Sequence, residues 1–361
     1  MAFRALRRPA RRTKFFESRQ FDASRVVSLI ERDWFGKRHV ECILSPGLRD
    51  EFAPPSLLEL TSVMNRRQML LSTAALSAGL QFPWRQALAA ADPKRRVLFF
   101  TKSAGFEHSV VKREGDALSY AEQTLVDLGK RHGFDVHATK DGRVFDDDLS
   151  VYDAVVFCTT GDLTTVGTDM QPAMSAEGKK RLLAAVADGM GFVGSHCAAD
   201  TFHSVGPPRE AQSEVDPYIS MLGGEFISHG PQQQSRQVIK SATFPGLAEA
   251  VKGEEGSFTL NEEWYSLKNF ADDLHVILAQ DTQGMEGKDY ERPPFPSTWA
   301  RRHGKGRVFY TSMGHREDVW SDPTFQQILL GGLSWAMGEI DADVLPNIEQ
   351  ATPGAKVMPP A

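Results

Sequence analysis

A chain of 361 residues is long enough for two or three domains, and 41% hydrophobic with 24% charged residues is an ordinary globular composition. The charge is unevenly placed: residues 92–361 carry 26 basic and 39 acidic side chains, a net charge of −13, whereas the segment before them is basic. This acidic balance argues against nucleic acid or an anionic membrane as a partner, because both bind cationic protein surfaces.

The basic N-terminal segment resembles an export signal in an unusual position. The paired arginines Arg66 and Arg67 precede a mildly apolar run, 69–80, that is too short to form a stable membrane anchor. This arrangement is typical of a twin-arginine signal peptide, which we predict at 64–91, so the mature protein is expected to be periplasmic or otherwise exported. Because such a signal stands first in its chain, we interpret 1–63 as a spurious upstream extension; a disordered leader is the alternative.

The rest of the chain alternates strand and helix patterns. In chain order, the periodicity predicts a strand at 96–101, a helix at 114–132, strands at 135–139 and 152–159, a helix at 175–188, a short strand at 192–193, strands at 238–241, 257–262 and 275–279, a hairpin of 298–302 and 307–312, and a helix at 323–338. Buried apolar strands separated by helices are typical of a doubly wound, mostly parallel sheet. We therefore predict one α/β domain over 92–341, followed by a flexible tail over 342–361.

One turn stands out as the place for a functional side chain. Gly194 and the small residues that follow His196 allow a sharp turn from strand to helix, with His196 at its tip. In open α/β sheets ligands bind beyond the carboxyl ends of the strands, which is where this turn falls. The alternative is a structural histidine bonded to a loop carbonyl group.

Other polar residues are expected at the same edge of the sheet. Histidines that follow predicted strands, or lie in loops beside them, are His108, His196, His229 and His315, and we expect them to share one cleft with Asp200 and Glu263. Imidazoles and carboxylates suit either acid/base catalysis or a zinc-like divalent ion. The predicted catalytic residues are His196, Asp200, Glu263 and His315. The candidate metal ligands are His196, His229 and His315, although their spacing matches no compact metal motif.

Aromatic residues in the predicted loops suggest how a substrate could be held. Predicted substrate-binding residues are Lys102, His108, Trp264, Tyr265, Trp299 and Trp320. Indole rings can stack on sugar rings because they offer an apolar face and a polar edge, with core packing as the alternative. The sequence contains no glycine-rich phosphate-binding loop, so a nucleotide cofactor is not supported. Cys158 and Cys197 could be free thiols or form one disulfide bond, and we expect Cys197 to be a small buried residue.

Several motifs, in their order along the chain, resemble those of the ThuA-like family. This family is named for trehalose utilisation and belongs to the class I glutamine amidotransferase-like superfamily. The matching stretches are 102–108 (KSAGFEH), 191–200 (GFVGSHCAAD), 216–229, 263–265 (EWY), 296–299 (PSTW) and 304–320. The resemblance implies a flavodoxin-like three-layer α/β/α sandwich with a mostly parallel doubly wound sheet. It also implies a role in the catabolism of trehalose or keto-glycosides.

The superfamily comparison separates two chemistries. Glutamine amidotransferases carry a nucleophilic cysteine in a Gly-x-Cys-x-Gly turn, whereas here His196 takes that place and Cys197 follows one residue late. Glutaminase activity is therefore disfavoured. The leading hypothesis is an exported hydrolase, lyase or isomerase that acts on a small disaccharide or keto-glycoside, with or without a metal. The alternative is a non-catalytic sugar-binding or accessory protein, and self-association stays open for either.

Overall fold

The structure is a computed structural model that describes residues 94–251 and 256–360. The predictions for 1–63 and for the signal peptide at 64–91 lie outside the described residues. None of the helices in these two ranges combines the length and the hydropathy needed to cross a membrane.

The described elements alternate as the sequence predicts. In chain order they are β1 (Arg95–Phe100), α1 (Tyr120–His132), β2 (Phe134–Thr139), β3 (Ala154–Phe157), α2 (Ala176–Asp188), β4 (Gly191–Ser195), α3 (Pro217–Leu222), β5 (Glu225–His229), β6 (Gln233–Ile239), α4 (Leu247–Ala250), β7 (Ser257–Glu262), β8 (Tyr265–Lys268), β9 (His275–Gln280), β10 (Phe295–His303), β11 (Gly306–Thr311), α5 (Glu317–Ser321), α6 (Pro323–Ala336) and α7 (Ile348–Ala351). Helix α1 begins at Tyr120 and not at 114, because Ser119 and Glu122 form a capping box there.

Within the described ranges, nine strands form one sheet in the order β2-β1-β3-β4-β11-β10-β9-β6-β7. The first five strands pair in parallel, and the other four extend the sheet by antiparallel pairs. Both faces are covered, since Phe99 packs against Trp320 while its neighbour Phe100 packs against Phe145. The α/β, flavodoxin-like fold class is confirmed.

The antiparallel part of the sheet places the C-terminal end of β7 at the same edge as the C-terminal end of β11. Strand β7 runs in the same direction as β11, because an even number of antiparallel pairs separates the two strands. Four strand spacings span about 19 Å in a flat sheet. Even so, Glu262 at the end of β7 contacts Gly314, just beyond β11. The Glu262 side chain and the segment that follows β11 thus meet at this edge.

Two segments with little periodic pattern contain regular structure, which corrects the prediction of a flexible tail. The connection 201–230 contains α3 and β5, and β5 pairs with β8 in a separate antiparallel sheet. The tail predicted to be flexible over 342–361 includes α7, where Ile348 is buried. Short apolar segments of this kind lack the length for a clear periodic pattern, and they fold because an existing core buries them.

Candidate functional site

His196 sits at the tip of the turn after β4, as predicted. Its backbone has a φ of +44°, a left-handed conformation that non-glycine residues adopt at a cost. Neighbouring groups hold this conformation: the Tyr310 hydroxyl donates to the His196 carbonyl oxygen at 2.8 Å, and Ser195 Oγ donates to the Met313 carbonyl oxygen at 2.9 Å. The strained turn places a fully buried imidazole at the carboxyl edge of the sheet.

The hydrogen bonds of His196 determine which ring nitrogen carries its proton. Nδ1 lies 3.0 Å from the Ser312 carbonyl oxygen, which can only accept, so Nδ1 carries the hydrogen in the neutral ring. Nε2 is left with its lone pair, 3.4 Å from Glu263 Oε2 and 3.3 Å from His315 Nδ1. His196 therefore presents an acceptor nitrogen to its polar neighbours.

Glu263 is the centre on which the imidazoles converge. Its Oε2 atom lies 3.0 Å from His315 Nδ1, 3.4 Å from His196 Nε2 and 3.9 Å from His108 Nε2. One ligand atom from each of these four residues, His108, His196, Glu263 and His315, lies within 4.8 Å of the others. We call this group the His/Glu cluster. His229 lies outside it: its Nδ1 is 3.5 Å from Glu263 Oε1 and donates to the Gly230 carbonyl oxygen at 2.9 Å.

The protonation states in the cluster follow from burial and from the shared carboxylate. Burial acts to raise the pKa of Glu263, but interactions with the imidazoles of His108, His196 and His315 outweigh it and lower that pKa far below its usual range. Burial lowers the pKa of His196 to about 3, with Glu263 opposing the shift. Burial also acts to lower the pKa of His315, but the bond to Glu263 raises it overall. At neutral pH the cluster thus pairs an ionised Glu263 with a neutral His196.

Two residues that sequence reasoning did not assign to the site position His315. Buried Glu262 accepts the backbone N–H groups of Gly314 and His315 through Oε2, at 2.8 and 3.1 Å. The amide nitrogen of Gln232 lies 2.9 Å from His315 Nε2. Arg316 fixes this orientation of the amide, because it donates to the amide oxygen at 2.5 Å. The amide N–H therefore donates to Nε2, which favours a proton on His315 Nδ1, directed at Glu263. The available sequence signal for Glu262 was its position as the last residue of the strand predicted over 257–262.

Tyr265 forms one wall of the cluster. Its ring centroid lies 4.1 Å from that of His196, and its hydroxyl lies 3.5 Å from His108 Nε2. On its far side the ring packs against Phe226 at 4.2 Å. Strands β5 and β8, which carry Phe226 and Tyr265, thus press an aromatic layer onto the catalytic candidate His196.

Several predicted site residues have structural surroundings instead. Asp200 pairs with His203 at 2.6 Å, and His203 in turn contacts Glu225, so Asp200 is not part of the His/Glu cluster. Buried Lys102 donates to the carbonyl oxygens of Val166 and Gln171 and pairs with Asp169 at 3.0 Å. The role predicted for Lys102 in substrate binding is wrong, because all of its partners belong to the fold.

The three tryptophans predicted to stack on sugar are all fully buried. Their indole N–H groups donate to backbone carbonyl oxygens: Trp264 to Gln233, Trp299 to Leu222 and Trp320 to Gly314. The prediction is wrong because the apolar area of an indole ring stabilises the core once its N–H group has a partner.

Cys158 and Cys197 are free thiols, and both are buried. Their sulfur atoms lie 3.6 Å apart at the ends of neighbouring strands. Burial raises the pKa of the Cys197 thiol well above its usual range, so the thiolate needed for nucleophilic attack is disfavoured. The expected small, buried Cys197 is confirmed.

Together, these features define a flavodoxin-like α/β protein with a histidine at the turn that faces the Glu263 carboxylate. The sequence profile of the ThuA family, described as trehalose utilisation, matches residues 96–336. The chain belongs to this family, and the resemblance seen in its motifs is confirmed.

The chain also shows similarity to several solved structures. A ThuA-like protein from Bacteroides uniformis is 20% identical with a TM-score of 0.49, over 68% of this chain and 93% of that one. Another from Parabacteroides merdae is 21% identical with a TM-score of 0.46, over 73% and 98%. A β-galactosidase from Bacillus circulans is 16% identical with a TM-score of 0.42, over 72% of this chain and 33% of that one. No curated protein matches the sequence significantly.

Proposed function

We propose that this protein is an exported enzyme that acts on a disaccharide or keto-glycoside at the His/Glu cluster, as a hydrolase, lyase or isomerase. The family's description, trehalose utilisation, supports a sugar substrate. The observation that carries the proposal is the convergence of three imidazoles on one carboxylate at the sheet edge where α/β proteins bind ligands. Packing alone gives no reason for such a convergence, because each buried polar group costs free energy unless it is paired.

The cluster has the parts that proton transfer requires. Neutral His196 offers the Nε2 lone pair as a base, and the Nδ1–H of His315, 3.3 Å away, offers a hydrogen bond to a substrate oxygen. The ionised Glu263 lies beside both rings and stabilises the imidazolium that forms when His196 takes a proton, which the same Nε2–H can then give back. Such a pair can take a proton from a sugar hydroxyl, or from a carbon next to a keto group, and return one to the leaving oxygen.

The donor set also fits a divalent, zinc-like ion. Three imidazoles and one carboxylate are ligand types that zinc prefers, and the Ser312 carbonyl already directs the His196 lone pair inward. The residues that would hold the ion are His108, His196, Glu263 and His315. Compared with the ligands proposed from the sequence, this set includes His108 and Glu263 and omits His229. A bound ion would polarise a sugar oxygen as a Lewis acid.

Metal binding is tested on the purified full-length protein by titration with zinc chloride and by elemental mass spectrometry. We expect about one ion per chain, with affinity lowered about tenfold or more by Glu263→Gln, in the range for the loss of a site ligand or its support. His303→Gln, at the tip of the β10–β11 hairpin, is the matched control and should bind as the wild type does. Absence of zinc binding by the wild type would leave proton transfer alone as the chemistry.

Catalysis is tested by a turnover screen with trehalose and its keto derivative. We expect the wild type to convert at least one of these sugars, and His196→Asn to bind it without converting it. A wild type that binds the sugar and leaves it unchanged would instead establish the non-catalytic sugar-binding alternative. Export is tested separately by N-terminal sequencing of periplasmic protein, whose chain should begin shortly after the signal at 64–91.

A further inference from the structure

An exposed aromatic ring stands beside the buried cluster. Phe106 is 68% exposed, whereas the neighbouring His108 is buried. The two ring centroids lie 5.0 Å apart with the rings nearly perpendicular. A large apolar side chain left in water next to a polar site marks a surface that gains free energy when a ligand covers it.

The backbone that carries Phe106 is held firmly. Thr160 accepts the N–H groups of Ala104 and Gly105 through its carbonyl oxygen, at 2.8 and 3.1 Å. Its hydroxyl also donates to the Phe106 carbonyl oxygen at 2.8 Å, and Thr168 donates to the Gly105 carbonyl oxygen. These bonds fix the backbone that carries the ring, so a ligand that stacks on the ring does not have to order the loop first.

The spacing between rings matches a ligand of two sugar units. The ring of His108 lies 5.1 Å from that of His196 and 5.0 Å from that of Phe106, so Phe106 and His196 are no more than about 10 Å apart. Two linked pyranose rings cover such a span, with one ring at the cluster and the other on the phenyl face.

We propose that Phe106 binds the second, non-reacting sugar unit of a disaccharide by stacking against its C–H face, and so selects disaccharides over monosaccharides. This inference rests on the proposed function. The electron-rich face of a phenyl ring attracts the weakly positive C–H groups on one face of a pyranose. The buried tryptophans are unable to supply this contact, whereas Phe106 is accessible and pre-positioned.

The test measures dissociation constants for trehalose and glucose by calorimetry on the full-length protein. Phe106→Ala should weaken trehalose binding about tenfold and change glucose binding less than twofold, while Phe106→Trp should restore trehalose binding. The control is Leu345→Ala, since Leu345 is 69% exposed and lies beyond the C-terminus of α6; this variant should bind both sugars as the wild type does.

Kinetics separate this inference from the proposed function. Phe106→Ala should raise KM for a disaccharide with little change in kcat, because the ring contacts only the non-reacting unit. Equal trehalose affinity in wild type and Phe106→Ala would overturn the inference and leave the proposed function standing. Failure of the wild type to bind either sugar would overturn both.

Discussion

His196 donates a hydrogen bond through Nδ1–H to the carbonyl oxygen of Ser312, 3.0 Å away at the end of the neighbouring strand. This bond leaves Nε2 without a hydrogen and aims its lone pair at Glu263, 3.4 Å away. His196 Nε2 and Glu263 Oε2 are both acceptors and would repel each other without a proton or a cation between them. When no metal ion is bound, the Nδ1–H of His315 lies close to both atoms and offsets this repulsion. The backbone of β11 and its continuation thus decide the protonation state of the site.

The first prediction concerns His196→Asn. Asparagine tolerates the left-handed backbone better than alanine, so the variant should fold while lacking the basic Nε2 atom. Loss of a general base typically lowers turnover about 10²–10⁴-fold. We expect that loss in kcat on the sugar identified by the screen, with the melting temperature close to that of the wild type. Turnover within a few fold of the wild type would remove His196 from the mechanism.

The second prediction concerns buried Glu262, whose carboxylate accepts the backbone N–H groups of Glu263, Gly314 and His315. Glu262→Ala leaves these donors without their partner, which costs about 1–3 kcal/mol for each one that water does not reach. We expect the free energy of unfolding to fall by about 3 kcal/mol, measured by urea denaturation. Activity should fall in parallel because His315 loses its backbone anchor. Glu249→Ala, at an exposed position of α4, is the control and should change neither quantity.

The pH dependence of Glu262 has a defined sign. Burial raises its pKa from the usual 4.5 to about 7, against the effect of its backbone N–H partners. An acid with a raised pKa stabilises the fold fully below its unfolded pKa, and this contribution disappears as pH rises through the folded value. The stability that Glu262 contributes should therefore decrease from pH 4.5 to 7. Glu262→Gln should flatten that part of the profile.

Much of this architecture could be predicted from the sequence. The alternation of strands and helices predicts the fold, and a histidine at a sharp turn after a strand predicts the position of His196. The order of the antiparallel strands could not be predicted from the sequence. The contact between Glu262 and Gly314 depends on that order, so no local sequence pattern indicated it. Asp200 failed as a site residue because its one-turn 3₁₀ helix directs it to His203. Side-chain direction depends on such turns and on distant partners, which periodicity does not encode.

The third prediction concerns the Asp200–His203–Glu225 network that fixes the loop after β4. Hydrogen bonds to Asp200 and then to Glu225 raise the pKa of His203 to about 9. Although burial opposes the shift, the bond from His203 helps to lower the pKa of Glu225 to about 2. The histidine contribution is complete below pH 6.5 and lost towards pH 9, while the glutamate contribution is complete above pH 4.5 and lost towards pH 2.

The network should therefore stabilise the protein most between pH 4.5 and 6.5. His203→Gln should remove the part of the stability that wild type loses between pH 6.5 and 9, about 1 kcal/mol because His203 is partly exposed and its charge is screened. Urea unfolding of both proteins across this range measures the difference. His303→Gln should follow the wild-type curve, and a His203→Gln curve parallel to wild type would contradict the assignment.

The last prediction concerns the C-terminal segment. Asn347 bonds to the backbone of Val276 in β9 through its side chain and to Leu274 through its N–H, and Ile348 is buried beside them. Farther along, the Ala355 carbonyl oxygen accepts from the buried guanidinium of Arg292 at 2.5 Å. Arg292 also donates to the Leu267 carbonyl oxygen in β8, the strand that begins with Tyr265. The segment thus supports the wall of the His/Glu cluster through one arginine.

Truncation after Asp343 should therefore destabilise the protein and disturb its site. It removes a buried apolar side chain and leaves buried Arg292 without one acceptor, which together should cost about 3–5 kcal/mol. Truncation after Lys356 keeps both Ile348 and Ala355 and is the matched control, with an expected change below about 1 kcal/mol. Urea denaturation measures the stability of both truncated proteins, and turnover of the sugar identified by the screen reports on the site. Equal stability of the two truncated proteins would show that these contacts contribute little, because only the shorter one loses them.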